Sequence, residues 1–355
     1  MSGLKAKYAK HTLRFKQPSG TSRGIIVSKD SWFIQLSYAH DPSLTGIGEC
    51  SLINGLSIDA KPGFEEHLAA HCRQITESGE VNLDQLSDFP AIRFGVETAF
   101  LDLQSGGGRL LFPSAFTHGK DSIPINGLIW MGDAGYMKQQ VRDKIEAGYT
   151  CLKLKIGAID FMQELDILRQ IRKEYAASDL ELRVDANGAF QPDKALEKIK
   201  QLSEYDLHSI EQPIRPGQHE AMARLCAHSP LNIGLDEELI GVDDPENQLE
   251  LLDRIRPQYI IIKPSLVGGF RKAESWIKLT ENRNTGWWIT SALESNIGLN
   301  AIAQWTYTLR NPMPQGLGTG QLYTNNFLSP LFIESGRLFH DPEKNWKIFS
   351  SFQDA

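Results

Sequence analysis

Over the first hundred residues apolar and polar positions alternate. Positions 4–16, 24–28 and 31–39 carry this period of two, which predicts half-buried antiparallel strands with Lys29-Asp30 as the turn between the last two. Two stretches of helical period follow, 64–77 and 89–104, the second stopped by Gly106-Gly107-Gly108. From Ile123 the pattern changes to short aliphatic runs separated by amphipathic helical stretches such as 160–176 and 192–205. The runs predict strands over 123–130, 150–156, 181–185, 208–211, 231–235, 258–262, 287–290 and 315–318. Eight strands alternating with seven helices predict an α/β fold, a modified TIM barrel of the form (β/α)7β. The tail from Phe327 again reads as short strands and is expected to return to the first unit. The division predicted is an α+β unit over 1–110, completed by 327–355, and a catalytic barrel over 111–326.

A charged residue stands at or just past the carboxyl end of five successive predicted strands: Lys155, Asp185, Glu211, Asp236 and Lys263, at intervals of 30, 26, 25 and 27 residues by subtraction of their numbers. One strand, one crossover helix and two loops take about 30 residues, so the ladder places one charged group per βα unit. In a βα barrel that end is the active-site face. Strand alternation puts Lys153 and Lys155 on one face and Leu152, Leu154 and Ile156 on the other, so both lysines point inward. Crowding, burial and a nearby cation would lower a lysine's proton affinity and make it a base. Asp185, Glu211 and Asp236 converge as three oxygen ligands, a set that suits Mg²⁺, with Mn²⁺ as the alternative. Asn187, two residues past Asp185, is placed to support the site or touch the ion. Lys263, from strand six, lies across the barrel from strand two. A substrate carboxylate on the ion, with a lysine on each side, is the layout that α-proton abstraction needs, because the resulting dianion must be held by a cation.

Composition narrows the partners. The net charge of −7 and the absence of any Lys/Arg run argue against nucleic acid. No apolar run approaches the roughly 20 residues of a membrane span, and residues 1–16 carry no apolar stretch of the secretory-signal kind. Cys50, Cys72, Cys151 and Cys226 are scattered, as reduced thiols of a cytoplasmic protein would be. The partner expected is a small-molecule carboxylate; nothing sets an oligomeric state. His67 and His71 have the spacing of a helical zinc pair, but Leu68 follows the first and no third ligand is near, so a helix face is expected.

Lys153-x-Lys155, Val184-Asp185-Ala186-Asn187-Gly188, Ile210-Glu211-Gln212-Pro213, Leu235-Asp236-Glu237 and Ile262-Lys263-Pro264-Ser265 together resemble the enolase superfamily, muconate-lactonizing enzyme subgroup. The resemblance covers most of the chain and implies that the flanking segments form a capping domain. It implies Lys155 and Lys263 as catalytic residues, with Lys155 removing the proton α to a metal-bound carboxylate and then protonating a departing hydroxyl. Lys263 would stay cationic beside the ring. Three softer stretches, 263–269, 291–298 and 316–319, are similar to those of members that dehydrate a cyclohexadiene carboxylate to aromatic o-succinylbenzoate, and add Ser265, Ser291 and Gly316 as substrate-binding or supporting residues. Glu238 departs from relatives that carry Ser there. In relatives the loop matching 19–24 closes over the substrate, which makes Thr21 and Arg23 candidates for excluding water or meeting a second carboxylate. Racemases of succinylamino acids and dipeptide epimerases use the same two lysines. The epimerases usually carry an Asp-x-Asp after the eighth strand, where this chain reads Gly316-Leu317-Gly318-Thr319-Gly320. A catalytically silent metal-binding barrel is the non-enzyme alternative, and two opposed bases argue against it.

Overall fold

The structure, a computed structural model, describes residues 3–21, 24–348 and 352–354, the side chains of 19–21 excepted. Strands Leu4–Thr21, Gly24–Tyr38 and Asp41–Ser51 form an antiparallel meander, with Gln353–Asp354 added at its edge. Alternation gives the sheet two working faces. Trp32, Ile34 and Leu36 pack on helices Phe64–Ser78 and Pro90–Gln104, whereas Phe33 and Ile47 pack on Ile297 and Phe327 from the barrel side.

Two features of this sheet differ from the pattern prediction. Lys29-Asp30 is no turn: Gly24–Tyr38 runs unbroken, with Lys29 opposite Leu13 and Asp30 opposite Thr12. The side chains leave the sheet on opposite faces, Asp30 half-exposed and Lys29 buried. Asp30 accepts from Thr12 Oγ1 at 2.6 Å and pairs with Lys10 at 2.9 Å, while Lys29 turns to the barrel side. The strand Asp41–Ser51 escaped the periodicity because Gly46 and Gly48 give it no side chains to alternate. They let the helix Pro90–Gln104 approach: a Cβ on Gly48 would lie 2.0 Å from the Gly95 carbonyl oxygen.

The barrel strands are Gly127–Ile129, Cys151–Lys155, Glu181–Asp185, Ser209–Glu211, Ile233–Leu235, Tyr259–Ile262 and Gly286–Ile289, all parallel and paired in chain order. Gln315 and Gly316 supply the eighth, bridging Ile125 on one side and Thr290 on the other, so the ring closes. Among the described residues no α-helix follows this eighth strand, only a short 3-10 turn, Thr319–Gln321. The (β/α)7β architecture results. Local chemistry starts its helices where expected: Asp133, Asp160, Asp244 and Ser295 accept at the N-termini that they precede, and Pro192, Pro245 and Pro264 occupy first-turn positions. The outward aliphatic residues of strand two, Leu152, Leu154 and Ile156, join the buried core beneath these helices.

The tail divides its contacts. The hairpin Leu331–Glu334/Arg337–His340 pairs with Ile123–Pro124 under the barrel, where Leu338 joins the barrel core. Beyond it, Trp346, Ile348 and Phe352 pack against the barrel-facing side of the first sheet. The end of the tail thus meets the first sheet, while its hairpin meets the barrel. The hairpin covers the segment that enters the first barrel strand, with Leu338 opposite Ile123.

Candidate active site

Parallel register aligns Lys155 with Asp185 and Asp185 with Glu211, so three strand-end charges share one level. Asp236 and Lys263 follow the last residues of strands five and six and reach the same centre. One oxygen from each of Asp185, Glu211 and Asp236 lies within 4.8 Å of the others, a buried set able to hold a metal ion. All three donors are hard carboxylate oxygens, which fits a divalent cation of the Mg²⁺ type.

Lys153 bridges this set from below: its Nζ lies 2.7 and 2.6 Å from the two Glu211 oxygens and 2.9 Å from Asp185 Oδ2. Lys155 donates to the same Asp185 oxygen at 2.6 Å and to Asn187 Oδ1 at 2.7 Å. Lys263 pairs with Asp236 from the other side. Burial opposes the charge on Lys153, yet Asp185, Glu211 and Asp236 outweigh it and raise its proton affinity; burial is likewise overcome for Lys263, by Asp236 and Glu237. The expected lowering of the site's lysines is thus absent from these two while the carboxylates' charge is directed at them. Asp185 is held well below the usual carboxylate range, burial being overcome by Lys153 and Lys155. Burial, then the neighbouring charge of Asp185, pushes Glu211 well above it. A carboxylate crowded in this way gains from any added cation.

The turns that follow the ligating strands are strained in a useful way. Asn187 and Gln212 adopt left-handed φ values of 43° and 40°, which bend the chain immediately after Asp185 and Glu211. Asn187 links Lys155 to Glu237, donating from Nδ2 to Glu237 Oε1 at 2.9 Å. It supports the lysine rather than standing among the three converging carboxylates. Gln212 Oε1 accepts from the Asp236 amide at 3.1 Å, and its Nε2 donates to Glu238 at 3.0 Å. Glu238 also accepts from the Gly217 amide at 2.7 Å and meets His219 at 3.1 Å. Glu238 is thus a tie between loops four and five.

Lys153, Lys155, Lys263 and Asn187 open onto a cavity of about 570 Å³ between barrel mouth and first sheet, together with Ser291 and Gly316. Ser291 Oγ meets Thr319 Oγ1 at 2.7 Å, and Gly316 keeps the wall open where a Cβ would fall 2.3 Å from Thr290 Oγ1. Ser265 does not reach the cavity; fully buried, it donates to Glu294. The side chain of Thr21 and all of Arg23 lie outside the described residues. Sequence reasoning missed Lys29 and Glu237, which also line the cavity. The Asp236-Glu237-Glu238 run was a signal for the latter; Lys29 was hidden by its reading as a turn. His67 and His71 pack beside Phe89, with ring centroids 4.7 and 5.8 Å away, as a helix face should.

The family model described as enolase C-terminal domain-like matches residues 136–341. The chain belongs to the enolase superfamily. Among superfamily relatives, the o-succinylbenzoate synthase of Desulfotalea psychrophila is 49% identical, over 95% of this chain and 99% of that one. The crystal structure of MenC from Desulfotalea psychrophila LSv54 superposes with a TM-score of 0.84 at 46% identity, covering 95% of this chain and all of that one, 100%. The dipeptide epimerase of Enterococcus faecalis V583, complexed with Mg and a dipeptide, shares the fold at a TM-score of 0.81 and 19% identity, over 97% and 98% of the two chains. Among the described residues no helix is long and apolar enough to cross a membrane.

Proposed function

We propose that this chain catalyses the reaction of an o-succinylbenzoate synthase. It dehydrates 2-succinyl-6-hydroxy-2,4-cyclohexadiene-1-carboxylate to o-succinylbenzoate, as a Mg²⁺-dependent cytoplasmic enzyme of menaquinone biosynthesis. The observation that carries this reading is the 49% identity to the Desulfotalea synthase over nearly the whole of both chains, since the opposed lysine pair is shared with the racemases. Lys155 and Lys263 flank three buried carboxylates. Asp185, Glu211 and Asp236 would hold the ion, which supplies positive charge where the substrate carboxylate becomes more negative as its α-proton leaves. Lys155 takes that proton on Nζ, positioned by Asn187 Oδ1. It returns the proton to the departing hydroxyl on the same face, giving syn elimination. Lys263 stays charged against Asp236 and faces the ring from the other side. Lys153 holds Asp185 and Glu211 in register. In this reading the unit over 1–110 and the ends of the tail cap the barrel of 111–326, and Ser291 and Gly316 shape the substrate wall.

Aromatic product formation, followed by absorbance with Mg²⁺ and with EDTA, tests the reading. Metal-dependent formation of o-succinylbenzoate is expected. Its absence, together with α-proton exchange into N-succinylamino acids in D₂O, would transfer the site to a racemase.

A further inference from the structure

Alternation along Gly24–Tyr38 sends Lys29, Ser31 and Phe33 to the face that meets the barrel, and register sets Ser31 opposite Ser51. Lys29 is only 7% exposed. Its ammonium donates to Ser31 Oγ at 3.0 Å and to Ser51 Oγ at 2.5 Å, which meets two of its three donors. Among the described residues no carboxylate forms an ion pair with it, whereas Lys153, Lys155 and Lys263 each have one. The acids that act on it from a distance are Glu49, Glu294 and Asp30. Each is engaged elsewhere. Glu49 accepts from the Ser295 and Gly298 amides at 3.0 Å, Glu294 from the Ala292 amide at 2.6 Å, and Asp30 pairs with Lys10 at 2.9 Å. Burial lowers the proton affinity of Lys29, the cost of a charge held by hydroxyls alone.

Lys29 lines the same cavity as the catalytic lysines, and Ile26, Leu52, Ile53, Leu128 and Leu293 make much of the remaining wall apolar. A cation at the first sheet, charged machinery at the barrel mouth and an apolar wall fit a ligand with two carboxylates joined by carbon. We propose that Lys29 is a substrate-selecting residue, its ammonium pairing with the distal carboxylate of a dianionic substrate while the other carboxylate occupies the barrel site. This rests on the proposed synthase reaction and adds the residue that reads the succinyl end. A charge-assisted pair supplies the partner that Ser31 and Ser51 cannot.

The test compares binding of o-succinylbenzoate and 2-butyrylbenzoate, which ends in methyl instead of carboxylate, by calorimetry in Mg²⁺. The intact protein should prefer the dianion by about 100-fold or more, since a site built for a polar group rejects ligands lacking it. Lys29→Met should reduce that preference to about 5-fold or less and raise KM far more than it lowers kcat; Lys29→Arg should keep most of it. A small preference in the intact protein overturns the proposal without any variant, as does a full preference surviving in Lys29→Met. If the intact protein makes o-succinylbenzoate but selects independently of Lys29, only this inference falls. If it neither makes nor binds that product, the proposed reaction falls with it.

Discussion

Asp185 Oδ2 receives two ammonium groups, Lys153 at 2.9 Å and Lys155 at 2.6 Å, while its Oδ1 accepts from the Asn187 amide at 3.0 Å. That geometry separates the two lysines by task. Lys153 is buried against two carboxylates, whereas Lys155 is tied to one and to the neutral Asn187 amide oxygen. Of the two, Lys155 more readily releases its partners to meet a substrate proton. Lys155→Ala should lower turnover by roughly 10²–10⁴-fold or more, the range for loss of a positioned acid–base group. Calorimetric Mg²⁺ affinity should change little, because none of the three converging carboxylates is altered. Retained turnover would show that the base lies elsewhere. The five ladder residues were legible in the sequence because each stands at or just past the end of a short aliphatic run. Glu237 and Lys29 were not, since a second acid in a run and a charge in a supposed turn look solvated until neighbours bury them.

Secondary-structure elements carry the site through their ends. Asp59 shows the same logic away from it: buried and 1% exposed, it accepts from the Ala91 amide at 2.8 Å at the start of helix Pro90–Gln104, and its Oδ1 has no hydrogen-bond partner. Burial pushes its carboxyl up to about 6. A raised folded-state value means that the folded chain binds the proton more tightly than the unfolded chain. The contribution to stability is therefore full below about pH 4 and is lost as pH rises through about 6, a change of up to about 3 kcal/mol. Asp59→Asn should flatten that part of the stability–pH curve relative to the parent in denaturant melts, and an unchanged difference between pH 4 and 7 would refute it. Barrel strands were legible to within a residue or two where aliphatic runs are sharp, as for Glu181–Asp185. Asp41–Ser51 was not, because its glycines serve helix packing rather than alternation.

The whole molecule is joined by carboxylates of the first unit that cap barrel helices. Glu49 accepts from the Ser295 and Gly298 amides at 3.0 Å, and Glu97 from the Phe270 and Arg271 amides at 2.6 and 3.1 Å. Gly269, at φ 104°, admits Glu97 where a Cβ would fall 2.0 Å from its oxygen. These contacts hold the first sheet over the barrel mouth and so define the cavity. Ion binding at the three carboxylates should stabilise the entire assembly. Mg²⁺ at about 100 times its Kd is worth about 2.7 kcal/mol, so EDTA should lower Tm. An Asp236→Asn variant should lose most of that response, and an equal Mg²⁺ shift in the variant would place the ion elsewhere. The chain by itself determined the βα rhythm, the charged strand ends and the superfamily resemblance, because these depend on periodicity and spacing within about 30 residues. Tertiary structure alone decided which charges meet, that the tail's hairpin covers the segment entering the first barrel strand, and that Lys29 faces the cavity. Those outcomes depend on register between distant segments, which local patterning does not encode.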